Sequence, residues 1–180
     1  MVVKNLAHEL DLKRYYIFNN LTLETSDGLS TQIDHVVVSP YGIFVIETKD
    51  YSGWIFGDQF GKVWTQTLPG KNKHTFQNPF RQNYRHIKIL QEYLPFVHST
   101  AFKTIIAFSR FSEFKTKKPE AVVYIDQVVD YIKNFKDSVI NKAVFFMVIG
   151  KLSQLCQSTD ISPGKHKLNL KSSHLSKNVK

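Results

Sequence analysis

The sequence predicts one mixed α/β domain, a central sheet flanked by helices, and three observations predict it. Two neighbouring strands, residues 33–38 and 43–48, are apolar on both faces (Val36-Val37-Val38 and Ile43-Phe44-Val45-Ile46), as strands covered from both sides are. A helix opens at Asn78-Pro79, with Asn as the cap and Pro at the first helical position. Along it Phe80, Tyr84, Ile87, Leu90 and Leu94 recur at helical spacing until Pro95 ends the run. Beyond it, strands at 102–108 and 121–125 precede two more helices, one capped by Asp126 and reaching Phe135, the other capped by Ser138 and reaching about Leu155.

The remaining elements follow in chain order. Residues 2–16 begin with a short helix ending near Lys13-Arg14, with Val3, Leu6, Leu10 and Leu12 facing inward. Residues 16–23 form a first strand, and Ser26-Asp27-Gly28 is turn chemistry. The two apolar strands are joined by Ser39-Pro40-Tyr41-Gly42, which suits a type I turn. Another hairpin runs from 54–56 to 62–67, and 68–75 reads as a loop. The domain spans residues 1–156, and 157–180 reads as a basic, weakly ordered tail.

Composition narrows the function. A chain of 180 residues holds one well-cored domain. Its formal net charge of +9 favours polyanionic partners, nucleic acid before membrane. Cys156 is the only cysteine, which excludes an internal disulfide and a zinc ribbon. The start lacks a signal-peptide layout, and no apolar run approaches a membrane span, so a cytoplasmic location is expected.

The chemistry concentrates on the two apolar strands. A charged residue in a doubly covered strand needs a partner, because an unpaired buried ion costs several kcal/mol or more. Glu47 and Lys49 lie two apart and share a face. With a two-residue loop at Pro40-Tyr41, Asp34 lies directly opposite Glu47, with Cβ atoms roughly 4.5–5.5 Å apart. One Mg²⁺ or Mn²⁺ ion could then bridge both carboxylates. Lys49 could position or help deprotonate an attacking water and offset charge growing on phosphate. A three-residue loop with a bulge instead shifts the pairing by one and puts Asp34 and Glu47 on opposite faces. The plain alternative is a structural ion pair, with Lys49 neutralising Asp34 or Glu47 and no metal.

At Thr31-Gln32-Ile33-Asp34-His35 and Gly42-Ile43-Phe44-Val45-Ile46-Glu47-Thr48-Lys49, the chain resembles the nuclease-related domain (NERD) family. That family belongs to the PD-(D/E)xK superfamily of restriction-endonuclease-like folds. The likeness continues through Gly53-Trp54-Ile55-Phe56-Gly57, Trp64, Phe76-Gln77-Asn78-Pro79 and Gln82-Asn83, over roughly residues 5–135. It implies a restriction-endonuclease-like αβββαβ core with a mixed sheet. It also implies metal ligation by Asp34, Glu47 and the Thr48 carbonyl, Lys49 as catalytic lysine, and Gln82 as a polar partner on the following helix. The activity implied is metal-dependent hydrolysis of phosphodiester bonds in DNA, or alternatively RNA. Two features depart from the family pattern. The Gly-Glu pair of its first helix is missing, Glu9 and Asp11 being offset from that position, and there is no C-terminal zinc ribbon. The first departure implies either weaker metal affinity or activity or a natural protein that starts upstream, and it favours the competing reading, a catalytically weak or inactive nuclease-fold module that binds nucleic acid or protein.

Other residues are weighed against plainer roles. Lys71, Lys73, His74, Arg81, Arg85 and Lys88 form either a phosphate-tracking ridge or a solvated helix face. Trp54, Phe56 and Trp64 could stack on bases, but aromatics in a hairpin are more often core. His35 should face away from Asp34 in a structural role. His86, four residues after Gln82, could join the site but reads first as a surface histidine, and Cys156 reads as a small buried hydrophobe.

Overall fold

The computed structural model describes residues 2–25, 27–68, 70 and 73–159. Its elements are α1 (Val2–Glu9), β1 (Tyr16–Glu24), β2 (Ser30–Ser39), β3 (Gly42–Lys49), β4 (Gly53–Phe56), β5 (Val63–Thr67), β6 (His74–Gln77), α2 (Pro79–Tyr93), β7 (Phe102–Phe108), β8 (Ser112–Phe114), β9 (Val122–Tyr124), α3 (Val128–Lys133) and α4 (Lys142–Thr159). The fold is mixed α/β, as the sequence predicts. Its principal sheet has the order β1-β2-β3-β7-β9, antiparallel through β3 and parallel beyond it. Taken as α1-β1-β2-β3-α2-β7, the principal elements follow αβββαβ, with β4, β5 and β6 interposed between β3 and α2. A second sheet, β6-β5-β4-β8, holds those three strands together with β8.

β3 sits in the middle of the principal sheet, and its apolar run buries both faces. Ile43 and Val45 join one core with Ile89, Leu90 and Leu94 of α2 and Val148 and Leu152 of α4. Phe44 and Ile46 join the other with Val2 and Leu6 of α1 and Val128 and Ile132 of α3. A third core, where Trp64 and Ile55 meet Ile106, Phe108 and Val122, fixes the second sheet against the first. Trp64 stacks on Phe108 with centroids 5.7 Å apart.

The β2–β3 turn takes the two-residue form, pairing Ser39 with Gly42 and His35 with Ile46. Gly42 carries a φ of 144°, and a Cβ there would lie 2.8 Å from the Ala101 carbonyl. Glycine is therefore required by backbone conformation and by space.

Asn78 caps α2 as expected, its side chain accepting from the Phe80 N–H. Its amide also donates to the carbonyls of Asp58, Gln59 and Gly61, tying the β4–β5 loop to the helix start.

Several expectations need correction. α1 stops at Glu9, and Val3 and Leu12 are exposed. His74 and Thr75, expected at the end of a loop, belong instead to β6 (His74–Gln77), which pairs with β5, and β8 is a short strand that nothing in the sequence signalled. Residues 125–127 form a 3-10 turn ahead of α3, and Asp126 pairs with Arg110 instead of capping. α4 is capped by Asn141, whose side chain accepts from the Val144 N–H, not by Ser138. That helix continues to Thr159. The basic segment from residue 160 to residue 180 lies outside the described residues. No helix among the described residues is long and apolar enough to cross a membrane.

Asn78→Ala removes a cap and strands three carbonyls. It is expected to lower the unfolding free energy by about 1–3 kcal/mol, measured by urea titration, and an unchanged midpoint would contradict the tethering role.

Candidate active site

The site begins where β3 leaves its apolar core. Strand alternation puts Glu47 and Lys49 on the face of Ile43 and Val45, the face α2 covers. Glu47 is only 3% exposed, yet it carries a carboxylate. Lys49 Nζ donates to Glu47 Oε1 at 2.7 Å and to Gln82 Oε1 of α2 at 2.9 Å. One ammonium thus binds the end of the central strand to the first turns of α2.

Asp34 lies one step past the last paired couple of the β2–β3 ladder. Its Oδ2 accepts from the Thr48 N–H at 2.8 Å and the Thr48 hydroxyl at 2.5 Å. The carboxylate therefore continues the ladder where backbone pairing ends, and it is bound to Thr48, with no direct bond to Glu47 or Lys49. Its charge still reaches Glu47. Burial pushes the Glu47 pKa above its ordinary value and Asp34 adds to the rise, while the Lys49 and Gln82 hydrogen bonds oppose it.

α2 contributes more than Gln82. Asn83 is fully buried and donates to the Val45 carbonyl at 2.9 Å. His86 is buried, its Nδ1 3.6 Å from Glu47 Oε2, too far for a hydrogen bond. Burial lowers the His86 pKa, so it is neutral at pH 7. The expectation of a surface histidine is corrected, because the helix turns Tyr84 outward and buries Pro79, Asn83, His86 and Leu90. Asn83 has no role in the sequence reading, and the 79-83-86-90 spacing is the signal that marks its burial. Glu47 Oε2, Asn83 Oδ1 and His86 Nδ1 are buried without a hydrogen-bond partner. Three such atoms from one neighbourhood mark a polar cluster inside an apolar fold.

Among the described residues no three His, Cys, Asp or Glu side chains gather into a ready ligand set. The oxygen donors present suit a hard cation, which needs only one or two carboxylates. Two carboxylates against one ammonium, with His86 neutral, also leave one negative charge uncompensated. Glu9 and Asp11 are exposed, and α1 packs on the opposite face of the sheet from Glu47, so neither supplies a further acid.

The basic residues scatter. Lys71 lies outside the described residues, and Lys73 and His74 are exposed. Arg81 donates to the carbonyls of Gly61 and Phe60. Arg85 is exposed and lies near enough to Asp27 to help hold that carboxyl low, after its bonds with Thr25 and the Leu29 N–H. Lys88 Nζ sits over the Tyr84 ring, 5.4 Å from its centroid. His35 faces away from the site and shares a hydrogen bond with Asn19. Trp64 is core, whereas Trp54 and Phe56 are partly exposed, and Cys156 packs partly buried against the core.

The model of a family described as nuclease-related domain matches residues 1–109, which include Asp34, Glu47, Lys49 and Gln82. An uncharacterized protein of Bacillus anthracis is 39% identical over 140 residues, 76% of this chain and 65% of that protein. The probable kinase PglW of Streptomyces coelicolor is 32% identical over 73 residues, 41% of this chain and 5% of that protein. The chain thus spans less than two thirds of either relative. No solved structure matches it at a significant level.

A carboxyl raised on folding holds a proton that the unfolded chain releases. Its cost to stability is absent below the ordinary value of 4.5 and grows as pH rises through the folded value. Glu47→Gln is therefore expected to raise the urea midpoint at about pH 7, with the gain shrinking towards about pH 4. A lower midpoint at neutral pH would mean that pairing with Lys49 outweighs the cost of burial.

Proposed function

The chain belongs to the nuclease-related domain family, and on that basis we propose that it hydrolyses phosphodiester bonds in DNA with Mg²⁺ or Mn²⁺. We place it in the PD-(D/E)xK superfamily. The α1-β1-β2-β3-α2-β7 order and the Asp34, Glu47-Thr48-Lys49 arrangement support that placement. The observation that carries the reading is Glu47, a buried carboxylate at the end of the central strand whose Oε2 has no partner, beside a lysine on its other oxygen.

Asp34 and Glu47 would hold the cation, with the Thr48 carbonyl as a third ligand. Thr48 points its N–H at Asp34, and a residue in a strand sends its N–H and C=O to the same edge. When bound, the cation supplies positive charge beside the scissile phosphate and the attacking water. Lys49 is held by Glu47 and Gln82, so its ammonium is fixed before substrate arrives and need not reorganise as charge develops. Its role is to orient the water and balance the growing negative charge. Gln82 acts through Lys49, as a positioning residue.

A second reading has one observation in its favour. The Glu47–Lys49 bond already satisfies part of the site, and no acid from α1 joins it. In that reading the fold is kept for docking nucleic acid or protein, and DNA binding persists without divalent ions and in Asp34→Asn.

Cleavage of plasmid or single-stranded DNA with added Mn²⁺ is expected to fall by on the order of 10²-fold or more in Glu47→Ala and Lys49→Ala. Equal residual cleavage in those variants would overturn the catalytic reading. Calorimetric titration with Mn²⁺ is expected to show binding by the wild-type chain and its loss in Asp34→Asn.

A further inference from the structure

The β4–β5 hairpin and its flanks present aromatic rings that the core does not use. Phe60, in the loop between the strands, is 82% exposed. An exposed phenylalanine on a mobile loop would mean little, but this loop is held on every side. Asp58 Oδ1 accepts from the N–H groups of Phe60 and Gly61, and Trp64 Nε1 donates to the Asp58 carbonyl. Asn78 and Arg81 of α2 bind the carbonyls of Asp58, Gln59, Phe60 and Gly61. The Gly57 backbone lies so close to the Trp64 ring that a Cβ would sit 2.3 Å from it. A pre-set loop presents its ring without the ordering cost a flexible one meets on binding.

The same strand carries further rings. Trp54 and Phe56 lie on the solvent side of β4, alternating with the fully buried Ile55. Phe111, 74% exposed, accepts the Gly53 N–H at the start of the strand. Four exposed rings thus belong to β4 and to the segments at its two ends. The strand begins four residues after Lys49, and its far loop is anchored by Arg81, the neighbour of Gln82.

Charge decides the occupant. Three of the acids near this track are engaged, Glu113 with Lys115, Asp126 with Arg110, and Asp58 with backbone N–H groups, while Asp50 is exposed just ahead of the strand. Lys62 is exposed without an acid beside it in sequence, Arg81 binds the Gly61 and Phe60 carbonyls and pairs with no acid among the described residues, and Lys115, paired with Glu113, lies 4.8 Å over the Trp54 ring. Thr65 and Thr67 face Phe56 and Trp54 across the β4–β5 pair, so the rings are set among polar groups. Exposed rings accompanied by cations and polar groups suit bases and phosphates, whereas a lipid or apolar protein surface needs a contiguous apolar patch.

We propose that the β4–β5 hairpin is a stacking track for single-stranded nucleic acid, with Phe60 as its pre-set end ring and Trp54, Phe56 and Phe111 along the strand. It rests on the nucleic-acid substrate proposed above and specifies it as an unpaired strand, led past the end of β3.

The test is fluorescence anisotropy with a labelled oligo-dT and a duplex of equal length, at low salt in EDTA so that no cleavage intervenes. Phe60→Ala is expected to weaken oligo-dT binding roughly 5- to 150-fold and leave duplex binding unchanged. Phe60→Tyr, which keeps the ring, should bind as the wild type does. Equal oligo-dT affinity in Phe60→Ala and wild type, an equal loss for duplex, or no oligo-dT binding would each overturn the track. Cleavage and stacking fail separately. Phe60-dependent binding by a chain that cuts nothing with Mn²⁺ supports the track alone, and metal-dependent cleavage with Phe60 indifferent overturns it alone.

Discussion

The contact on which the site depends is the bond between Lys49 and Glu47. A carboxylate this deeply buried is tolerated only with compensation. The ammonium supplies it on one oxygen and binds Gln82 with another of its protons. That single group fixes the end of β3 to α2, and α2 is the element that also carries Asn83, His86 and the anchor of the β4–β5 loop. Remove the ammonium and the strand end, the helix and the polar cluster between them lose their common point.

The central strands were legible because their apolar runs leave no polar face, and only a strand inside a covered sheet can have that composition. Their pairing was not, since Ser39-Pro40-Tyr41-Gly42 suits two turns equally well by its own residues. The fold takes the two-residue form, in which the Ala101 carbonyl lies against Gly42 and leaves no room for a side chain. The short strands β6 and β8 were hidden for a similar reason. They hold by pairing with partners elsewhere in the chain, and their few residues carry no periodicity of their own.

Asp34, Glu47, Lys49 and Gln82 could be named from the sequence, and the fold brings them to one end of β3. Their contacts could not be named. Asp34 turns to the Thr48 backbone, a bond that depends on where the ladder stops. The sequence favours a surface place for His86 and assigns Asn83 no role, because Tyr84 falls on the helical spacing of the apolar residues. With Tyr84 outward, the helix rotates two polar side chains into the protein, where an apolar stripe was expected. Violations of ordinary patterning are where function is expected to sit.

Gly42 carries a consequence for how such a domain can change. The alignment of two strands, and with it the side of the sheet each acid occupies, is guarded at a place where there is no side chain at all. Any residue with even a methyl group must push Ala101 away or slide the hairpin, and a slide of one place would send Asp34 through the sheet to the other surface. A single hydrogen at the turn thus helps keep the two carboxylates on one surface of the sheet.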